Sequence, residues 1–154
     1  MKTRDIKRNI SHEPFVQDLH QKKVFPTLYD LLILSALVGY KKNRYEPFQK
    51  SSQDPIKFHI FESNNLSDFI FLIALLKHNQ DISIFKIDSE VDICEPFEFY
   101  ASGGITVFKS WIKSFGHSTE PQKAIMKGLI QENFIPKKLE GFSSDNILSS
   151  ISFE

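Results

Sequence analysis

The pattern that most restricts this chain follows Pro96, where Phe97, Tyr100, Ala101, Gly104, Phe108, Trp111, Ile112 and Phe115 recur at three- and four-residue steps. That spacing puts the apolar side chains on one face of a helix and predicts a long amphipathic element closed by Gly116. Gly103 and Gly104 lie inside it, and a helix-interior glycine costs about 1 kcal/mol relative to alanine. Two together therefore predict either a kink or another helix passing so close that no side chain fits between the backbones.

Other elements follow from their start and stop signals. Ser11 before Pro14 predicts a short first helix over 14–22, with Ser11 as cap. Thr27 is a good N-cap for a second helix, Asp30 adds negative charge to its first turn, and Gly39 is its natural terminator. Asn65 reads as the cap of a third helix running to Lys77, apolar around its whole circumference from Phe69 to Leu76 and so expected at the centre of the core. Thr119 and Gln122 have capping-box spacing and open a last helix holding Ile125 and Leu129. Residues 45–54 read as a loop. The short apolar stretches 56–61 and 82–87 fit either strands or helical turns.

The expected fold is mostly α, a compact single-domain bundle of about five helices with room for one small two-stranded element. A basic arm, 1–12, precedes a helical domain, 13–135, and a polar tail, 136–154, follows, in which Phe142, Ile147, Leu148 and Ile151 could dock. Fifteen phenylalanines make the core aromatic. The lone cysteine, Cys94, cannot form an internal disulfide, which fits a reducing compartment and a cytoplasmic address. The first eleven residues lack the apolar stretch of a secretory signal, and the longest apolar run, eight residues, falls short of the roughly 20 that span a bilayer.

Charge is balanced overall, but unevenly placed. Residues 1–50 carry ten Lys/Arg against five Asp/Glu, residues 51–100 three against nine, and residues 101–154 six against five. Opposed faces of this kind suit a polyanion, a basic partner or association between copies of the chain.

No set of reacting groups stands out. Asp88, Glu90 and Asp92 alternate as a magnesium site would need, yet no calcium-type loop surrounds them, and solvated turn acids explain them better. The five histidines show no short ligand spacing, and Cys94 sits in an acidic stretch that raises a thiol pKa. No phosphate-loop pattern is present. These residues predict no catalytic site, no metal and no cofactor. Nucleic-acid contact has more support: Tyr40, Lys41, Lys42, Arg44 and Tyr45 interleave cations with aromatic rings, and Arg4, Lys7 and Arg8 add charge in the same third of the chain. A charged helix end with two half-buried tyrosines is the structural alternative.

Three blocks carry a family resemblance: Phe25 to Phe48, Leu66 to His78, and Phe97-Glu98-Phe99-Tyr100-Ala101-Ser102-Gly103-Gly104-Ile105. In their order and residues the chain resembles the Dnd system-associated protein 4 family, small bacterial proteins encoded with DNA phosphorothioation and related phage-defence clusters. Ser102 stands where Asn is expected, a departure that leaves the helix reading intact. The resemblance implies a defence setting and association with larger DNA-processing proteins, and it supplies no catalytic residues. The resulting expectation is a non-enzymatic accessory subunit whose partners are larger proteins of the same defence system. Direct DNA binding through the basic-aromatic loop is the alternative, homo-oligomerisation is compatible, and no membrane is involved.

Overall fold

The computed structural model describes residues 1–116 and 119–136. Among them are six α-helices, α1 (Glu13–Gln21), α2 (Leu28–Lys41), α3 (Phe58–Ser63), α4 (Ser67–Lys77), α5 (Cys94–Phe115) and α6 (Pro121–Gln131), with 3-10 turns at Ile10–His12 and Ile82–Phe85. Contacts group the chain into two compact units, Met1–Ser110 and Trp111–Glu154.

In the first unit the notch of α5 is filled by α2. A methyl group added at Gly104 would overlap the Ser35 carbonyl, and one at Gly39 would overlap that of Tyr100. Backbone therefore meets backbone where the two helices cross. This corrects the expected role of Gly39: α2 continues to Lys41, and Gly39 is there for close approach, not termination. The turn out of α2 is made instead by Asn43 at φ +53°, after which the Arg44 N–H donates to the Gly39 carbonyl at 2.7 Å.

The cap at Thr27 is as expected, its Oγ1 accepting from the Asp30 N–H at 3.1 Å. Three other caps differ. Asn9, not Ser11, starts the first helical segment, accepting from the Ser11 N–H at 3.0 Å. Asn65 adopts φ +58° and ends α3, its N–H donating to Glu62, so α4 begins two residues later with no side-chain cap. A left-handed asparagine closes a helix as readily as an extended one opens the next, and local sequence does not separate the two. Thr119 likewise does not cap α6, whose N-cap position is Glu120 with no side-chain bond. Gly116 ends α5 at φ +69°.

No two-stranded element forms from 56–61 and 82–87. The first stretch becomes α3, and the second a 3-10 turn started by the Asp81 carboxylate, which accepts from the Ser83 N–H at 2.9 Å. Ile56 pairs with the N-terminal arm instead: Ile6 and Ile56 exchange backbone bonds of 2.8 and 2.9 Å, Arg8 accepts from Ser52, and Ile10 donates to Lys50. These are isolated bridges, not a sheet.

Ile6, Val16, Leu19, Leu31, Phe61, Ile70, Ile73, Phe97 and Phe108 are fully buried, with Phe61 edge-on to both Phe97 and Tyr29. Helix α4 is less central than its all-round apolar character predicts. Ile70, Ile73 and Ala74 face inward, but Leu72 is 46% exposed. In the second unit Trp111 packs edge-on against Phe134 and α6 buries Ala124, Ile125 and Leu129. The apolar tail residues from Phe142 onward lie outside the described residues.

Candidate functional site

Loop 42–50 leaves α2 and is pinned along α5. Gly103 lets the Arg44 carbonyl lie directly on the helix, where any Cβ would overlap it. Beyond that contact the Glu46 N–H donates to the Phe99 carbonyl at 3.0 Å. The loop thus carries its aromatic rings onto α5: Tyr45 meets Tyr100 at 4.9 Å and Phe99 at 5.4 Å between centroids, and Phe48 meets Phe99 at 5.2 Å, while Tyr40, on the last turn of α2, meets Tyr100 at 5.4 Å. All four are edge-to-face, the arrangement that the ring quadrupole favours.

Lys77, at the end of α4, places its ammonium 3.8 Å from the Tyr45 ring centroid. Burial pushes the Tyr45 hydroxyl up to about 12, with Glu95 and Tyr100 adding to the shift. Tyr45 is therefore already engaged by a cation over its ring and by two neighbouring rings. Tyr40 remains 37% exposed, and Lys41 and Arg44 are exposed beside it in sequence. Lys77, Phe48 and Phe99 were missed by sequence reasoning, because nothing periodic relates them to residue 45.

The arm cations have a different setting. The Arg4 guanidinium meets both Glu98 oxygens at 2.5 and 2.9 Å and the Asp92 carboxylate at 2.8 Å. Arg8 is 3% exposed and holds Glu13 through Nε at 3.0 Å and Nη2 at 2.7 Å. Lys7 is exposed, while its backbone N–H donates to Glu98 at 2.6 Å. Burial pushes the Glu98 carboxyl upward, against the pull of Arg4 and of the Lys7 N–H. The loop set Tyr40, Lys41, Lys42, Arg44 and Tyr45 is thus brought together, whereas Arg4 and Arg8 face internal carboxylates.

One seam of polar side chains runs along α5 at Glu98, Ser102, Thr106 and Lys109, one helical turn apart. It ties the arm to the loop. Glu46 accepts from Thr106 at 2.7 Å and Ser102 at 3.1 Å and lies 2.7 Å from His12 Nε2, while Lys109 Nζ lies 2.7 Å from His12 Nδ1. A neutral His12 satisfies both neighbours, accepting from the Lys109 ammonium and donating to Glu46. Burial holds His12 below its ordinary range, although Glu46 opposes the shift. A carboxylate–imidazole chain can activate a hydroxyl or thiol. Here it ends on an ammonium that is itself a donor.

Cys94 is buried, its Sγ 3.4 Å from the Arg4 carbonyl, and burial lifts the thiol to about 11, far from a thiolate nucleophile at neutral pH. Of the acidic trio, Glu90 pairs with Lys2, and Asp92 binds Arg4 and accepts from the Cys94 N–H at 2.9 Å. Among the described residues, no group of three or more His, Cys, Asp or Glu could hold a metal ion, and no helix is long and apolar enough to cross a membrane.

A family model described as DNA sulphur modification system-associated protein 4 matches residues 5–146, which takes in both the seam and the loop. No curated protein and no solved structure matches the chain.

Proposed function

We propose, for a chain that belongs to the DNA sulphur modification system-associated protein 4 family, that it is a non-enzymatic adaptor subunit of a DNA phosphorothioation-associated anti-phage complex in the cytoplasm. The observation that carries this reading is the seam: Glu46, His12, Thr106 and Lys109 satisfy one another, and their combined effect is to fasten arm and loop to α5. Side chains so engaged build a rigid platform on which the exposed Tyr40, Lys41 and Arg44 are displayed. Partners are the larger proteins of the same system. The test is co-expression with those proteins, followed by mass measurement on size exclusion. A stoichiometric complex is expected. Elution of the chain alone, or substrate turnover by the purified polypeptide that one point change abolishes, overturns the reading.

Direct contact with DNA is a second reading, favoured by one observation: Tyr40 is exposed on the last turn of α2, where the chain enters the cationic loop. Phosphate contacts release counterions, so this reading requires an affinity that falls steeply with salt and weakens when Lys41, Lys42 and Arg44 become Ala. Because Arg4 and Arg8 face carboxylates, Lys7 is the arm residue that contributes to such contact.

A further inference from the structure

A cavity of about 480 Å³ opens beside the arm, walled by Leu28, Tyr29, Ile56 and Ile60, and Arg8 forms part of its lining. Arg8 is 3% exposed, and its Nε and Nη2 are taken up by the two Glu13 oxygens. Its Nη1, carrying two further N–H donors, is buried and has no hydrogen-bond partner among the described residues. Buried donors are almost always satisfied, by protein or by ordered water, and an exception next to a ligand-sized, largely apolar cavity marks a place for an acceptor from outside the described residues.

The local charges decide what kind of acceptor. Glu13 already neutralises Arg8, the Lys57 ammonium at the same cavity is paired with Asp5 at 2.9 Å, and Asp54 adds a further negative charge. An anionic occupant would meet little net attraction there. An uncharged carbonyl would complete Arg8 at no electrostatic cost, and the walls would take an apolar side chain beside it. We infer that this cavity receives an apolar segment of a partner protein, whose backbone carbonyl accepts from Arg8 Nη1 while a neighbouring side chain packs among Leu28, Tyr29, Ile56 and Ile60. The inference rests on the adaptor reading and adds to it the chemistry of the docking segment.

The full chain can be probed by NMR with N-acetyl-leucinamide and N-acetyl-tyrosinamide, each a carbonyl beside an apolar side chain, against acetate and inorganic phosphate as charged probes. Saturable shifts at the Ile56 and Ile60 methyls and the Arg8 guanidinium are expected with the amides. Arg8→Lys keeps a cation for Glu13 but removes Nη1, and is expected to weaken amide binding about tenfold. Should that variant fail to fold, Ile60→Glu, which leaves the Arg8–Glu13 pair untouched, is expected to do the same. Three results each overturn the proposal: no saturable shift up to ~50 mM amide, phosphate or acetate acting on Arg8 at lower concentration than the amides, or an ordered water that stays on Nη1 when amide is present. Amide binding by a chain that forms no complex overturns the adaptor reading and leaves the pocket. A complex that Ile60→Glu leaves intact overturns the partner segment as occupant and leaves the adaptor.

Discussion

Arg4 and Arg8 in the arm and Arg44 in the loop share a sign and the same third of the chain, yet their surroundings are opposite. The arm runs against Ile56 and the start of α5, so that Arg4 meets Glu98 and Asp92 and Arg8 meets Glu13. The loop leaves α2 at Asn43, its backbone rests on α5 at Gly103, and Arg44 itself is exposed. A cation count therefore says little about which charges are available to a partner. Position relative to buried carboxylates says much more, because an ion pair with a desolvated partner is hard to give up, whereas an exposed cation exchanges freely.

Removing the carboxylate that anchors the arm is the strongest way to break the contrast. Glu98→Ala leaves the Arg4 guanidinium with Asp92 alone and the Lys7 N–H without its acceptor, and a loss of about 3 kcal/mol is expected in urea denaturation, taken at the low end because Arg4 keeps Asp92 and is 32% exposed. A loss under about 1 kcal/mol would mean that the arm is held chiefly by Ile6.

On the loop side, Gly103→Ala pushes a methyl into the Arg44 carbonyl and should cost about 1 to 3 kcal/mol while displacing the loop. Tyr45 fluorescence or NMR shifts at Tyr100 would report that displacement. Unchanged rings at full stability would show that the loop is not pinned at Gly103.

The seam that joins the two regions should respond to pH. The folded pKa of His12 lies below its unfolded value near 6.5, so the unfolded chain binds the proton more readily. Its contribution is fully present above pH 6.5 and is lost as pH falls from there toward the folded pKa, with a slope of at most about 1.4 kcal/mol per pH unit. His12→Gln should flatten the fall in stability that sets in as pH drops below about 6.5; an unaltered profile would place the titration elsewhere.

The smallest effect is expected for Arg44→Ala, whose exposed head should leave stability within about 0.5 kcal/mol. If partner or DNA binding falls while stability holds, the loop is a display surface. A stability loss comparable to that of Glu98→Ala would erase the distinction between the two regions.

Elements governed by local rules could be read directly. Thr27 with Asp30 starts α2, the three- and four-residue steps after Pro96 mark α5, and Gly103 and Gly104 signal a backbone approach that takes place. Asn65 and Thr119 could not be read, because a polar residue between two helices fits the end of one and the start of the next equally well. The candidate site was half legible. Its loop forms one contiguous stretch, but the partners of Arg4 lie 88 and 94 residues away and Lys77 reaches Tyr45 from another helix.

By its own pattern, then, the chain determined its helices, the crossing notch of α5 and the cationic loop, since each depends on residues within a turn or two of one another. Which cations face solvent, how His12 joins Glu46 to Lys109, and why one nitrogen of Arg8 beside a cavity lacks an acceptor among the described residues were decided only on folding. Burial and long-range pairing set those outcomes, and both depend on where distant segments come to rest.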